Sequence, residues 1–312
     1  MAIVKILKHS LLLFVFVFLS ACSFYAIDFL IAGAGGFFST KAAASVSDGF
    51  ESEIVKIENT ENPIIKQKEE FSINAESFIS IKAENGQYNI LLSKNEQDKL
   101  PVASLTKLMT ALVVLDNYDL NQKVTVSKLA MAQEGEQGNL KEGEVLSVKN
   151  LLYISLIESS NRASFALSEV VGADEFIILM NNKAQDMGLQ NTYFADSSGL
   201  LENSTSSSED LAKLSIYLFE NYPLFREIIN FKEFDLYING RLHHKLVNTN
   251  KFLGEVPGVV GGKTGWTIFS KGCFMVVQEI PGTGNYLLHI ILGADDRFLE
   301  MQKLIDWVRA HY

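Results

Sequence analysis

The spacing of apolar residues divides the chain into an apolar start, a polar stretch and a long region of strand and helix patterns. Lys5 and Lys8 precede an apolar run over residues 11–38, which a single charge, Asp28, interrupts. A basic flank before an apolar core is typical of an export signal or a membrane anchor, and this run is long enough to span a bilayer. Residues 40–76 are polar, mixed in charge and weakly periodic, which predicts a flexible tether.

The N-terminal stretch has three interpretations. We favour an uncleaved membrane anchor over residues 1–39. Residues 19–22 (LSAC) instead resemble the lipobox of bacterial lipoproteins, in which the cysteine is lipidated after cleavage, although the residues after Cys22 stay apolar. Cleavage near residues 42–44 (AAA) is the third interpretation. Each of them places the rest of the chain outside the cytoplasmic membrane.

Strand patterns lie at both ends of the remaining region. Apolar residues flank Asn85-Gly86, the dipeptide that two-residue hairpin turns prefer, so residues 78–92 are predicted to form a β-hairpin. Apolar residues then recur at helical spacing from Leu105 to Leu115, which predicts a buried helix that begins near Ser104. Strands are predicted again after Gly262, over residues 273–280 and 286–292, with the turn Pro281-Gly282-Thr283-Gly284 between them.

Helical patterns occupy the middle and the end of this region. They cover residues 151–157 after a Ser147 N-cap, 162–171, 174–187 with Gly188 as a stop, 208–218 and 297–310. Strands at both ends with helices between them predict an α/β (α+β) domain over residues 77–312. We expect one mainly antiparallel sheet, assembled from distant segments and flanked by helices, together with a helical lobe.

Composition excludes several classes of function. The formal net charge of −10 argues against nucleic acid as a partner, and no strong polybasic patch is present. The two cysteines, Cys22 and Cys273, show neither a zinc-ligand spacing nor a disulfide framework. The five histidines form no H-E-x-x-H motif, and His243-His244 is interpreted as an exposed pair. We therefore predict no metal and no cofactor.

Ser104 is the candidate nucleophile, because it begins the predicted helix and Lys107 follows three residues later. This spacing is just under one helical turn, so the hydroxyl and the amine point the same way. A lysine held among apolar neighbours loses proton affinity and can act as a base on an adjacent hydroxyl. The alternative is structural, with Ser104 as an N-cap and Lys107 as an exposed helix residue.

Two further motifs follow in order, and together with S-x-x-K they form the three-part signature of penicilloyl-serine transferases. Ser159-Ser160-Asn161 is one of three S-x-N copies, but the other two precede Ser104. Lys263-Thr264-Gly265 occurs once. Lys263 offers a fixed cation and Thr264 a hydroxyl for a substrate carboxylate, while Gly265 lets an edge strand approach the ligand backbone.

The other candidate residues serve proton transfer and charge stabilisation. Ser159 can relay a proton between Lys107 and a leaving amine, and Asn161 can hold the substrate amide and orient Lys107. The backbone N–H groups of Ser104 and Trp266 are the natural pair of donors for an oxyanion hole.

From about residue 78 to residue 312 the chain resembles D-alanyl-D-alanine carboxypeptidases of the low-molecular-mass penicillin-binding type (peptidase family S11). Residues 101–111 (PVASLTKLMTA) are similar to the family's P-A-S-x-T-K-x-M-T-A, and residues 263–267 (KTGWT), with Thr267, to its K-T-G-x-T. Arg297 lies where the family carries an arginine that holds the terminal carboxylate, a role that suits a guanidinium. The family's His before Gly-Leu is Ser198 here, and further departures are Val260, Gly262 and Ser270-Lys271.

The resemblance implies a β-lactamase/DD-peptidase-like fold and a serine D-Ala-D-Ala carboxypeptidase. Its partners would be peptidoglycan stem peptides, from which an acyl-enzyme on Ser104 removes the terminal D-alanine, and β-lactams would acylate the same serine. A D,D-endopeptidase that cleaves peptidoglycan cross-links is the main alternative. A β-lactamase, which would need a Glu in an E-x-x-L-N element, and a wall sensor that is acylated without turnover rank below it.

Overall fold

A computed structural model describes residues 55–58, 71–135 and 137–312. The predicted anchor over residues 1–39, including Cys22, lies outside these residues, as does most of the predicted tether. No helix in the described part of the chain is both long and apolar enough to cross a membrane.

The described residues form twelve strands and eight α-helices. The strands are β1 (Ile57–Glu58), β2 (Ser77–Glu84), β3 (Gln87–Lys94), β4 (Leu100–Pro101), β5 (Lys123–Thr125), β6 (Val145–Ser147), β7 (Thr205–Ser206), β8 (Glu233–Ile238), β9 (Arg241–Val247), β10 (Val259–Thr267), β11 (Lys271–Glu279) and β12 (Tyr286–Ala294). The helices are α1 (Thr106–Asn117), α2 (Lys128–Met131), α3 (Val148–Ile157), α4 (Asn161–Ser168), α5 (Ala173–Asp186), α6 (Ser208–Asn221), α7 (Pro223–Asn230) and α8 (Arg297–His311).

A six-stranded sheet with the order β1-β3-β2-β12-β11-β10 lies at the centre. Only β1 pairs in parallel, with β3, and the other four pairings are antiparallel. The sheet is thus assembled from both ends of the region, as the sequence predicted. Because β10 lies at an edge, one side of its backbone has no neighbouring strand among the described residues.

Helices cover both faces of this sheet. Ile79, Ile81 and Leu288 face the larger core, which the helical lobe around α1 completes. Phe78 and Ile291 belong to a second core on the other face, against α8. With both faces covered, all nine residues of β12 are buried, which explains why its residues are apolar except for His289.

The turn and cap residues predicted from the sequence lie where the structure has a turn, a helix start and a helix end. Asn85 and Gly86 both have positive φ (53° and 75°), as a two-residue hairpin turn requires, and they join β2 to β3. Ser147 caps α3 by accepting a hydrogen bond from the backbone N–H of Asn150 at 3.1 Å. Gly188 has a φ of 68°, just after the end of α5.

The structure differs from the sequence prediction in three places. Residues 71–76, assigned to the tether, pack on the domain, since Ile73 and Ala75 are buried in the core beside α8. The K-T-G motif lies inside β10, whose three glycines obscure its strand pattern, rather than before the first C-terminal strand. Helix α7 and the β8–β9 hairpin were not predicted, and each strand of that hairpin has a single fully buried residue, Leu236 in β8 and Leu246 in β9.

Candidate active site

Ser104 lies in a single 3₁₀ turn, Ala103–Leu105, that leads directly into α1. Ala103 has a φ of 46°, a conformation that costs a non-glycine residue energy and is found at functional sites. Strand β10 passes against this turn, because a Cβ placed on Gly265 would lie 3.0 Å from the Ser104 backbone nitrogen. Glycine at position 265 therefore permits the close approach of the edge strand to the candidate nucleophile.

Lys107 is fully buried beside Ser104, and its amine has three hydrogen-bond partners. The Nζ atom donates to Ser104 Oγ at 2.9 Å, to Asn161 Oδ1 at 2.7 Å and to the carbonyl oxygen of Ser198 at 2.8 Å. Burial lowers the pKa of Lys107 to about 7, and the negative charge of Asp196 opposes this shift. The exposed-lysine alternative is therefore excluded.

These three partners determine where the neutral amine directs its lone pair. A neutral amine has two N–H groups, and the amide oxygen of Asn161 and the carbonyl oxygen of Ser198 can only accept hydrogen bonds. When both accept from Lys107, the remaining lone pair faces the Ser104 hydroxyl. The geometry thus prepares Lys107 to take a proton from Ser104.

The carbonyl of Ser198 belongs to a loop that Asp196 orders. The Asp196 carboxylate accepts hydrogen bonds from the backbone N–H groups of Ser198 at 2.6 Å, of Leu201 at 2.7 Å and of Gly199. Gly199 has a φ of 80°, and a Cβ there would overlap the carbonyl oxygen of Ala103. The loop therefore supports both Lys107 and the turn that carries Ser104.

Ser159 and Asn161 lie in the tight connection between α3 and α4. Ser159 has a φ of 62°, and its Oγ accepts a hydrogen bond from Lys263 Nζ at 2.7 Å. The Asn161 Nδ2 donates to the carbonyl oxygen of Glu134 at 2.8 Å, which turns Oδ1 toward Lys107. Ser160 caps α4 through the N–H of Ala163, which explains the helix start at this point.

Lys263 points from β10 toward Ser159. It is fully buried, and its Nζ also donates to the carbonyl oxygen of Thr264 at 2.9 Å. Desolvation, together with the positive charges of Lys107 and Arg297, holds the pKa of Lys263 well below its ordinary value. Lys263 is thus positioned for exchange of a proton with Ser159 as well as for attraction of an anion.

The remaining predicted site residues lie at the C-terminal end of β10. Thr264 hydrogen-bonds Thr249 at 2.7 Å between their Oγ1 atoms, and Thr267 Oγ1 bonds Ser270 Oγ at 2.9 Å. Trp266 is 60% exposed, so much of this residue is open to solvent.

Arg297 begins α8 and lies against Gly272, the residue that pairs with Trp266. Its guanidinium lies 5.0 Å from the centre of the Phe298 ring, and its buried Nε has no hydrogen-bond partner within the described residues. Desolvation lowers the pKa of Arg297. A cation with an unpaired donor at this place can accept an anionic ligand.

The structure thus brings all ten predicted site residues to one edge of the sheet. Sequence reasoning missed the carbonyl of Ser198, the loop order imposed by Asp196 and the contact of Thr249 with Thr264. Residues 198–200 (SGL) and 248–250 (NTN) also resemble the family's sequence, but neither segment indicates which atoms take part.

Comparison with known proteins agrees with this geometry. Residues 63–295 match the peptidase S11 family, described as D-alanyl-D-alanine carboxypeptidase. The chain is 32% identical over 259 residues to the D-alanyl-D-alanine carboxypeptidase DacF of Bacillus subtilis, which covers 79% of this chain and 65% of DacF. It is 34% identical over 232 residues to a D-alanyl-D-alanine endopeptidase of Escherichia coli, covering 71% and 74% of the two chains.

Among solved structures, the DD-transpeptidase of Streptomyces K15 matches with a TM-score of 0.71 and 27% identity, over 77% of this chain and 98% of that one. The D-alanyl-D-alanine carboxypeptidase of Mycobacterium tuberculosis matches with a TM-score of 0.70 and 26% identity, over 77% and 92%. The predicted fold, with its mainly antiparallel sheet flanked by helices, is confirmed. The chain spans just under two thirds of DacF and, at 64%, of the Escherichia coli carboxypeptidase DacD.

Proposed function

Because this chain belongs to peptidase family S11, the D-alanyl-D-alanine carboxypeptidases, we propose that it removes the terminal D-alanine from peptidoglycan stem peptides through an acyl-enzyme on Ser104. The observation that carries the proposal is the environment of Lys107, a buried amine with two fixed acceptors and a lone pair directed at Ser104 Oγ. A base with a pKa near the working pH is the most effective.

Acylation begins when Lys107 takes the Ser104 proton and Oγ attacks the carbonyl between the two D-alanines. Negative charge develops on the carbonyl oxygen, and the backbone N–H groups of Ser104 and Trp266 stabilise it. Loss of one such donor costs about 3 kcal/mol of transition-state stabilisation. Thr264, Thr267 and Arg297 hold the carboxylate of the terminal residue at the end of β10.

The tetrahedral intermediate then collapses. The C–N bond breaks, and the amine of the leaving D-alanine takes its proton from Ser159. Lys107 then becomes neutral again, because the proton it took from Ser104 passes, directly or through Lys263, to Ser159. The 2.7 Å hydrogen bond between Ser159 and Lys263 supports this path. Water then attacks the ester with Lys107 again as the base, and the shortened peptide leaves. A β-lactam presents an amide next to a carboxylate and acylates Ser104 by the same first step.

Cleavage of cross-links between stem peptides is the second candidate function. Relatives with the same level of identity are named carboxypeptidases and endopeptidases, so both reactions fit the family. The two reactions share the scissile D-Ala carbonyl and the acyl-enzyme. They differ in the leaving group, which is a free D-alanine in one case and a second stem peptide in the other.

The test uses the purified full chain with a fluorescent penicillin and, separately, with a peptide ending in D-Ala-D-Ala. We expect labelling and release of D-alanine, and loss of both in Ser104→Ala and of most turnover in Ser159→Ala. Ser93→Ala is the matched control, because Ser93 begins an S-x-N copy remote from the other motifs. Labelling without D-alanine release would favour the endopeptidase or the sensor. Cross-linked muropeptides distinguish these two, because only the endopeptidase would cleave them. A folded protein without labelling would refute the proposal.

We further propose that the protein acts at the outer face of the cytoplasmic membrane, anchored by residues 1–39. The basic flank and the apolar run over residues 11–38 support this. In untreated spheroplasts the intact chain should sediment with the membranes. Protease added to intact spheroplasts should digest the domain, because it would be exposed on the outside. Labelling with a fatty acid that disappears in Cys22→Ala would establish the lipoprotein instead.

A further inference from the structure

The two adjacent histidines of β9 face the same side of the β8–β9 hairpin, although successive strand residues normally face opposite sides. Leu236 pairs with His244 and Tyr237 with Leu242, so His243 is the extra residue of a β-bulge, which turns its side chain toward His244. Their ring centres are 4.7 Å apart, and their Nδ1 atoms 2.5 Å. The prediction of an exposed pair was wrong, since the two side chains are only 11% and 16% exposed.

A glutamate lies at the far end of each ring. The Nε2 atom of His243 is 2.9 Å from the carboxylate of Glu144, and that of His244 is 3.0 Å from the carboxylate of Glu158. An ionised carboxylate can only accept hydrogen bonds, so both Nε2 atoms carry a hydrogen. This requirement fixes the tautomer of each neutral ring and leaves its Nδ1 without a hydrogen.

The short distance between the two Nδ1 atoms indicates how many protons the two rings carry. Two neutral rings of this tautomer would oppose two lone pairs at 2.5 Å, which is repulsive. One additional proton converts the opposition into an N–H···N hydrogen bond. Three N–H protons on the two rings, one neutral imidazole and one imidazolium, would satisfy all of these contacts. The single positive charge lies between two carboxylates and is matched by them.

Other charged groups lie on the hairpin and on α3. On the hairpin, Lys245 pairs with Glu233 at 3.1 Å and lies across from Asp235, while Arg241 begins the strand. On α3, Lys149 lies over the Tyr153 ring. Within the described residues, ion pairs to the two imidazoles come from the two glutamates alone.

The four side chains join three segments around the candidate site. Glu144 directly precedes β6, which leads into α3, and Glu158 is the residue before Ser159. The strand that carries the histidines continues to Thr249, whose backbone N–H donates to the carbonyl oxygen of Ile157 at 3.1 Å. Thr249 also contacts Thr264 in the K-T-G motif. The hairpin therefore borders the loop that positions Ser159.

We propose that His243 and His244 share one proton between their Nδ1 atoms, and that this charged pair clamps the β8–β9 hairpin to the loop carrying Ser159. Loss of the proton leaves two opposed lone pairs, and gain of a second places two positive charges side by side. Either change opens the clamp. Its effect on catalysis rests on the proposed function, whereas the shared proton does not.

Nitrogen NMR of the ¹⁵N-labelled full chain tests the proton directly. We expect a coupling between two imidazole nitrogens across the hydrogen bond. His289 and His311 are internal controls, because their Nδ1 atoms bond oxygen, at 2.7 Å in each case. Two neutral rings without coupling at every pH would overturn the proposal. So would one equivalent of zinc, found by metal analysis, bound to the two Nδ1 atoms.

Hydrogen exchange of the Thr249 amide tests the clamp without any enzymatic assay. We expect exchange at least tenfold faster in His244→Gln than in the wild type, because the hairpin opens locally. Lys245→Gln, the neighbouring exposed residue, is the matched control and should exchange as the wild type does. Equal exchange in all three proteins would overturn the clamp. Acylation of Ser104 by penicillin should slow in His244→Gln alone, and failure of all three proteins to react would count against the proposed function only.

Discussion

Replacement of Asp196 by asparagine is expected to move the pH dependence of Ser104 acylation to lower pH. Burial lowers the pKa of Lys107 to about 7, while the Asp196 charge favours the protonated amine. Only the neutral amine can accept the serine proton, so wild-type acylation is lost as the pH falls through about 7. Without the carboxylate charge the ammonium form is less stable, and the loss moves further into acid.

The size of the effect of burial follows from the pKa. At pH 7, about half of the Lys107 side chains are neutral, whereas about 3 in 10,000 would be neutral at the ordinary lysine value. At pH 5, the wild-type rate should be about 1% of its alkaline plateau. Asp196→Asn should retain a larger share of its own plateau at that pH. The plateau itself should fall, because the new Nδ2 group cannot accept a hydrogen bond from a loop N–H.

The assay is the pseudo-first-order rate of labelling by a fluorescent penicillin between pH 4.5 and 9. Glu202→Gln is the matched control, because this carboxylate is exposed and lies in the same loop region. Its inflection should coincide with that of the wild type. The reasoning is refuted if the wild-type inflection lies near the ordinary lysine pKa, or if Asp196→Asn moves it upward or leaves it in place.

Three further predictions concern the base, the edge strand and the core. Asn161→Asp should move the same inflection to higher pH, because a carboxylate 2.7 Å from Lys107 stabilises its charged form; an unchanged profile would contradict this. Gly265→Ala should slow acylation about 100-fold while the melting temperature stays close to that of the wild type, because a Cβ 3.0 Å from the Ser104 nitrogen displaces β10 from the oxyanion site. Wild-type acylation in this variant would count against the close approach. His289 is fully buried and desolvation lowers its pKa from 6.5 to about 3, so it contributes stability above pH 6.5 that is lost progressively as the pH falls toward 3. In urea titrations the wild type should lose about 2 kcal/mol between pH 8 and pH 5 that His289→Gln keeps, and equal losses would refute the assignment.

Local turn chemistry explains why much of the fold was predictable. Asn85-Gly86 specifies a turn with two positive φ angles whatever surrounds it, and Ser147 caps a helix by contacts within its own first turn. Strand β10 escaped prediction for the opposite reason. Its glycines are selected by the close approach of Ser104 and of other neighbours, a property of the assembled structure and not of the strand.

Some parts of the candidate site could likewise be predicted from the sequence, and others could not. The roles proposed for Ser104, Lys107 and Lys263 belong to their side chains, so the order of short motifs could indicate these residues. The acceptor opposite Lys107 is a backbone carbonyl, and every residue has one. Its position depends on Asp196 and on the fit of Gly199 against Ala103, which only the folded loop reveals. The histidine pair was misjudged because a β-bulge, which no spacing rule indicates, turns both rings to one side.

The central place of β12 in the sheet has a consequence for how the candidate site is assembled. This strand joins the β2–β3 hairpin to β11 and β10, yet it follows all of these strands in the chain. Until it arrives, the hairpin preceding Ser104 and the strand carrying Lys263 have no common partner, and the long sequence separation of their contacts makes assembly slow. Penicillin reactivity should therefore appear only after residues 286–294 have been synthesised and paired, and a chain that stops before residue 286 should bind none.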